Sequence, residues 1–141
     1  RSGAARLVLI DQVHKKTLSL KKKISKMNAV TQVECIPFTS RQLPVLIKQS
    51  DLLINATPVG MKNNFSFPID PSLLHSNIMV VDIIYTHETP LMKFCRKKGI
   101  RVTSGLGMLL YQGARAFEIW INAPAPLDIM KGALLKALKG A

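Results

Sequence analysis

Cysteine is almost absent from this sequence: Cys35 and Cys95 are the only two in 141 residues. They form no ligand-like cluster, and a chain of this length builds a core without disulfides or a structural metal. Two buried thiols in a reducing compartment are expected. Long hydrophobic runs are missing too. No stretch approaches the roughly 18 apolar residues of a membrane span, and the longest candidate, Ile78 to Tyr85, is interrupted by Asp82. No charged segment followed by an apolar one opens the chain, so no signal peptide is expected and the location reads as cytoplasmic. There is no internal repeat and no low-complexity tract. Acidic residues are few: 8 Asp plus Glu against 20 Lys plus Arg, a formal charge of +12.

What is present begins with that charge. Lys15, Lys16, Lys21, Lys22, Lys23 and Lys26 crowd one segment, and a basic run can bind nucleic acid or an anionic membrane. Here Val13, Thr17, Leu20, Ile24 and Met27 recur at helical spacing, which leaves the lysines on solvated faces. No aromatic residue interleaves them to stack bases. Neither nucleic acid nor membrane is therefore the expected partner. Apolar residues make up 48% of the chain, which excludes intrinsic disorder.

Strand and helix patterns alternate. Strands are expected near 6–10, 32–36, 51–55, 78–84 and 100–103. Helices are expected up to about Met27, over 40–49, from Pro90 behind a Thr89 cap, over 107–120 and over 127–139. Pro44 fits only in the first turn of its helix, and Gly99 is a natural stop. A short helical piece is expected at 72–75 after a polar, irregular stretch over 62–71. Strands alternating with helices imply a parallel sheet covered on both faces. In open sheets of this kind ligands sit beyond the carboxyl ends of the strands. Asp11 ends the first strand, and a carboxylate there can accept from the ribose hydroxyls of an adenine nucleotide; its bland reading is a turn residue. Asn55, Ala56 and Thr57 end the third strand, Ile83 to Tyr85 the fourth, and Gly105 to Gly107 follow the fifth.

Those residues carry a resemblance. The segment Asp-Leu-Leu-Ile-Asn-Ala-Thr-Pro-Val-Gly-Met at 51–61 resembles the one after the fourth strand of shikimate dehydrogenases. Val81 to Tyr85, with Thr89-Pro90-Leu91 and Gly99, is similar to a second motif of that family. Gly105-Leu106-Gly107-Met108-Leu109 with Gln112, Phe117 and Trp120 is similar to its C-terminal signature. The match spans about residues 50–121 in order and with similar spacing.

The resemblance implies a Rossmann-like, doubly wound parallel α/β sheet in which 1–141 is an NAD(P)-binding domain fragment, completed by the helices at 107–120 and 127–139. The implied activity interconverts 3-dehydroshikimate and shikimate, or dehydroquinate and quinate. Carried over by position, Asn55, Ala56, Thr57, Ile83, Gly105 and Met108 would line the cofactor cleft, with Asp11 at the ribose. Tyr85 and Gln112 would reach the substrate. The family's catalytic lysine–aspartate pair and Ser-x-Ser motif belong to an N-terminal lobe that this sequence lacks, so no catalytic residue and no metal site is assigned here and the chain alone is expected to be inactive. The glycine-rich phosphate loop is lacking too. Gly3 to Arg6 superficially resembles its tail, but the Asp11 to Thr57 spacing fits a start at the second strand, with Gly3 ending a helix. The first strand of the order 3-2-1-4-5-6 is then unaccounted for.

NADP-using members commonly have Asn-Arg-Thr after the second strand, where this chain has Asp11-Gln12-Val13. A carboxylate there would repel a 2′-phosphate, which favours NAD over NADP, although Lys15 and Lys16 follow closely enough to reach a phosphate. The expected partners are shikimate or quinate, the N-terminal lobe (in one polypeptide or as a partner chain) and a second copy in a homodimer. The alternative is a non-catalytic nucleotide- or partner-binding module derived from the family.

Overall fold

A computed structural model describes residues 3–27, 30–61 and 67–139. The irregular stretch expected over 62–71 lies partly outside them. The chain divides into two compact units, Arg1–Gln49 and Ser50–Ala141.

In the first unit, strand β1 (Arg6–Ile10) pairs in parallel with β2 (Gln32–Ile36), Arg6 opposite Gln32 and Ile10 opposite Ile36. Helix α1 (His14–Met27) joins them and packs on both. The Arg6 guanidinium clasps the Glu34 carboxylate across the two strands, at 2.9 Å; being exposed, the pair contributes little. All six lysines of α1 are exposed, as its periodicity requires. The apolar stripe is less buried than expected: Thr17 is buried and Ile24 half-buried, but Val13, Leu20 and Met27 are exposed. The cause is geometric. Two strands about 4.8 Å apart offer a seat only as wide as the middle of the helix. Thr17 is tolerated inside because its hydroxyl donates to the His14 carbonyl at 2.8 Å. Helix α2 (Leu43–Lys48) is shorter than its pattern suggested, carries Pro44 in the first turn and buries Leu43, Leu46 and Ile47.

In the second unit, β3 (Leu52–Asn55), β4 (Met79–Asp82) and β5 (Arg101–Ser104) form a parallel sheet in the order β3-β4-β5. Helix α3 (Pro90–Lys97) packs on β4 and β5, and a 3-10 turn at Pro71–Leu73 packs on α3. Ile78, Val80, Leu91, Met92 and Cys95 make the dry centre. Helices α4 (Leu106–Ile121) and α5 (Leu127–Lys139) pack on one another. The expected α4 stripe is half-buried at Leu109, Gly113, Ala116 and Phe117, but Trp120 is 80% exposed. A helix covered along one flank hides a narrower face than its periodicity implies. Cys95 is buried as expected, whereas Cys35 is only half-buried on its two-stranded sheet.

All strand pairs are parallel. In the doubly wound order 3-2-1-4-5-6, the two sheets correspond to strands 3-2 and 4-5-6. No strand among the described residues stands for the first. The fold is therefore an incomplete doubly wound α/β arrangement, in two small sheets rather than one.

Candidate functional site

The register of the second sheet sets Asn55 opposite Asp82 and Asp82 opposite Ser104, so the three strands end in line with a polar residue each. Each strand then gives way to a turn or helix that bears candidate residues.

Asn55, 2% exposed, leads the turn after β3. Its amide nitrogen donates to the Val59 carbonyl at 3.2 Å and to Asp82 Oδ1 at 3.1 Å. Its oxygen accepts from the Thr57 amide at 3.2 Å and the Thr57 hydroxyl at 2.7 Å. Both donors and both lone pairs are thereby engaged. The side chain is a brace for the turn, so what this segment can offer a ligand is backbone, exposed Ala56 and the half-buried Thr57. The Thr57 hydroxyl has given its proton to Asn55, and its oxygen also accepts from the Val59 amide at 3.2 Å. Gly60 closes the turn at φ +96°, a conformation side chains rarely adopt. A Cβ there would crowd Thr89.

Asp82 is fully buried at the end of β4. Oδ1 accepts from Asn55 and from the Ile84 amide, and Oδ2 accepts from the Thr89 hydroxyl at 2.7 Å. Thr89 in turn caps α3, accepting from the Met92 amide at 3.2 Å. His87 Nε2 donates to the Gly60 carbonyl at 2.8 Å, and Nδ1 faces the Thr86 hydroxyl at 3.0 Å. The carbonyl can only accept, which fixes the proton on Nε2. The loop after β4 is thus fastened to the turn after β3 directly through His87 and, by way of the shared Asp82 carboxylate, through Ile84 and Thr89. Burial pushes the nearby Cys95 thiol above its ordinary pKa, and the Asp82 carboxylate adds to the effect.

Ile83 is half-buried, and its backbone touches Gly105: a Cβ on Gly105 would collide with the Ile83 carbonyl group. Only glycine lets the start of α4 lie this close to the end of β4. The Ser104 hydroxyl accepts from the Leu106 amide at 3.4 Å, a weak substitute for a cap. Met108 and Gln112 stand exposed on the first turns of α4, and Tyr85 is 38% exposed. No hydrogen bond joins Tyr85 and Gln112 to each other or to the Asn55–Asp82 network among the described residues. In the other unit, half-buried Asp11 accepts from the Val13 amide at 2.7 Å, the turn geometry that introduces α1. One carboxylate oxygen is committed there, which matches the bland reading without consuming the second oxygen. Lys15 and Lys16 are exposed nearby in sequence.

The pattern of the residues singled out Asn55, Ile83 and Gly105 but passed over Asp82, Thr89 and His87 as partners of the turn. Thr89 was visible as a cap. Asp82 was visible as the one charge in the apolar run Ile78 to Tyr85, a strong sign of a satisfied buried polar group. Nothing in the sequence marks His87.

Among the described residues no cluster of His, Cys, Asp or Glu could hold a metal ion, and no helix is long and apolar enough to cross a membrane.

Parallel strands ending in a row of polar and small residues, each followed by a turn or a helix start, define a Rossmann-like class of domain. Comparison with known proteins makes this specific. A family model described as "Shikimate 5'-dehydrogenase C-terminal domain" matches residues 105–135. The shikimate dehydrogenase (NADP(+)) of Methanopyrus kandleri is 32% identical over 97% of this chain and 48% of its own length. That of Methanothrix thermoacetophila is 43% identical over 66% of this chain and 35% of its own. Among solved structures, quinate dehydrogenase from Corynebacterium glutamicum, in complex with NAD, aligns with a TM-score of 0.86 at 25% identity over 95% of this chain and 47% of that one. Shikimate 5-dehydrogenase from Listeria monocytogenes, in complex with shikimate and NAD, gives 0.81 at 29% identity, covering 92% and 47%. The chain belongs to the shikimate dehydrogenase family and corresponds to its C-terminal portion. It spans less than half the length of these relatives. The relatives named NADP(+) enzymes lend no support to the preference for NAD read from Asp11.

Proposed function

We propose that this chain supplies the nicotinamide-cofactor face, and part of the substrate face, of an oxidoreductase acting on shikimate or quinate. The observation that carries the reading is the aligned row Asn55–Asp82–Ser104, with Ala56, Thr57, Ile83, Gly105 and Met108 placed directly at or after it. These residues fit a flat, partly apolar ligand. Ile83 and Met108 offer apolar surface, while Ala56 and Thr57 offer backbone polar groups and the Thr57 oxygen. Asn55 acts through the turn it braces. Glycine at 105 keeps the crest low where Ile83 and α4 meet. A nicotinamide dinucleotide, when bound, supplies the hydride. Tyr85 and Gln112 supply a hydroxyl and an amide that have no other partner among the described residues, suited to a polyhydroxylated ring.

The nucleotide is NADP or NAD. The curated relatives are named NADP(+) enzymes, and solved relatives hold either NAD or NADP. Asp11 would serve the ribose of NAD through its uncommitted oxygen, and Lys15 and Lys16 would serve a 2′-phosphate. The proton is handled, in this reading, by the family's lysine–aspartate pair in the N-terminal lobe.

The test joins this chain behind the N-terminal half of the Methanopyrus kandleri relative. The chain alone should not oxidise shikimate, and the chimera should do so with either nucleotide. Gln112→Ala and Tyr85→Phe should raise KM several-fold, since each removes a hydrogen bond of about 0.5–1.5 kcal/mol, and leave nucleotide affinity unchanged. Unaltered kinetics with a lowered Tm would remove both residues from the site. A chimera that binds nucleotide without turnover would favour the non-catalytic module.

A further inference from the structure

We propose that Asp82 is the positioning residue of this crest: its carboxylate sets which way the Asn55 amide faces and so holds the turn over 55–60 and the loop over 83–89 in one arrangement. The inference rests on the cofactor reading above only for its functional meaning; the geometry stands alone. Asp82 is fully buried at the end of β4. Among the described residues no cation pairs with it, and its carboxylate is met by three neutral donors, Asn55 at the end of β3 and Ile84 and Thr89 from the two ends of the loop over 83–89. Such burial costs stability unless the acceptors are satisfied, and among the described residues no buried side-chain polar atom lacks a partner.

What the arrangement accomplishes is read from donor and acceptor roles. A primary amide is nearly symmetric in shape, and only its neighbours decide its orientation. On one side of Asn55 lie two acceptors, the Val59 carbonyl and Asp82 Oδ1; on the other lie two donors, the Thr57 amide and hydroxyl. Turning the amide over would set oxygen against oxygen and N–H against N–H. The Val59 carbonyl belongs to the turn itself and moves with it. Asp82 sits in the sheet and does not. Its oxygen is therefore the fixed reference from which the turn is built, and its second oxygen holds the Thr89 cap in the same frame. The role is one of acceptor geometry, not of charge.

The test measures amide hydrogen exchange on the 141-residue chain. In Asp82→Leu, which keeps the bulk and removes both acceptors, protection at the Thr57 and Ile84 amides should fall roughly tenfold, the opening expected when a hydrogen bond of ordinary net strength is lost. Amides at the centre of β4 and β5 should keep theirs. Asp82→Asn retains an acceptor oxygen for Asn55 and Ile84 and can donate to the Thr89 oxygen, so it should protect Thr57 nearly as the parent does. A role in filling space predicts the opposite order, with leucine as good as asparagine, and that result would overturn the proposal. Equal loss in both variants would also overturn it, by making the charge the active property. A third variant, Thr57→Val, covers the case in which Asp82→Leu does not fold. If Asp82 holds the Asn55 amide, the residue-57 N–H stays protected without the hydroxyl; its loss would assign the orientation to Thr57 instead. Failure of the chimera to bind nucleotide with Asp82 intact would defeat the cofactor reading and leave these exchange results untouched.

Discussion

Cys95 and Gly105 show how single side chains are fixed by their surroundings. The Cys95 thiol lies in the dry centre of the second unit, and desolvation first, then Asp82, raises its pKa above the ordinary value. A thiolate is the reactive form, so Cys95 should resist alkylation in the folded chain while half-buried Cys35 reacts. Mass spectrometry of peptides after brief treatment with iodoacetamide checks this, and prior labelling of Cys95 would contradict it. The sign of the pH effect follows from the same shift. A folded-state pKa raised above the unfolded one contributes stability that is present below the unfolded value and lost as pH rises through the folded value. The chain should therefore lose stability on the alkaline side, and Cys95→Ala should flatten that limb. Gly105 is held by proximity, not by its backbone angles. A methyl group there meets the Ile83 backbone, which cannot swing aside as a flexible side chain can. Gly105→Ala should cost about 1–3 kcal/mol, the usual range for overpacking, read as a lowered Tm, whereas Gly107→Ala, with open space around it, should not.

Among the elements, α3 was the most legible, and the buried face of α1 the least. Thr89-Pro90 announced the start of α3, Leu91, Phe94 and Cys95 its inner face, and Gly99 its end. The structure adds the reason for the stop. Gly99 adopts φ +68°, its amide bonds to the Arg96 carbonyl, and the Ile100 amide reaches back to Cys95. Nothing lies within 4 Å of where a Cβ would stand. Gly99→Ala thus pays only the left-handed backbone penalty, about 1–2 kcal/mol, and the Tm should drop accordingly with no change in exchange at Thr57. Local signals of this kind are readable because their partners lie within a few residues. Trp120, Val13 and Leu20 were misjudged for the complementary reason: periodicity reports which face a helix offers, not how much of that face finds a neighbour. The candidate site divides along the same line. Asn55, Ala56, Thr57 and Gly105 were legible as strand-end residues. The joining of Asn55 to Asp82 across 27 positions, and of His87 to Gly60, depends on strand order and register, which no short window of sequence contains.

At the scale of the whole chain, the strand order leaves apolar strands at sheet edges. Among the described residues β3 has a single neighbour, β4, and its residues Leu52 and Ile54 are 49% and 54% exposed. In a parallel strand alternate residues direct both backbone groups to the same side. The Asp51 and Asn55 carbonyls accept from β4-side amides, so Leu52 and Ile54 turn theirs to the open edge. An edge that is apolar, unbroken by proline and without a lysine is a template for another strand. The 141-residue chain should therefore associate as its concentration rises, and sedimentation velocity at two concentrations should show the weight-average coefficient climbing. A rival cause exists in the exposed apolar residues of α4 and α5, Ile119, Trp120 and Ile129 among them. Two substitutions separate the causes. Ile54→Lys places a charge on the open edge and should return the chain toward monomer, while Trp120→Lys should leave association in place. The reverse pattern would assign the contact to the helices. A single concentration-independent species in the parent chain would show that the β3 edge is protected by means other than strand pairing.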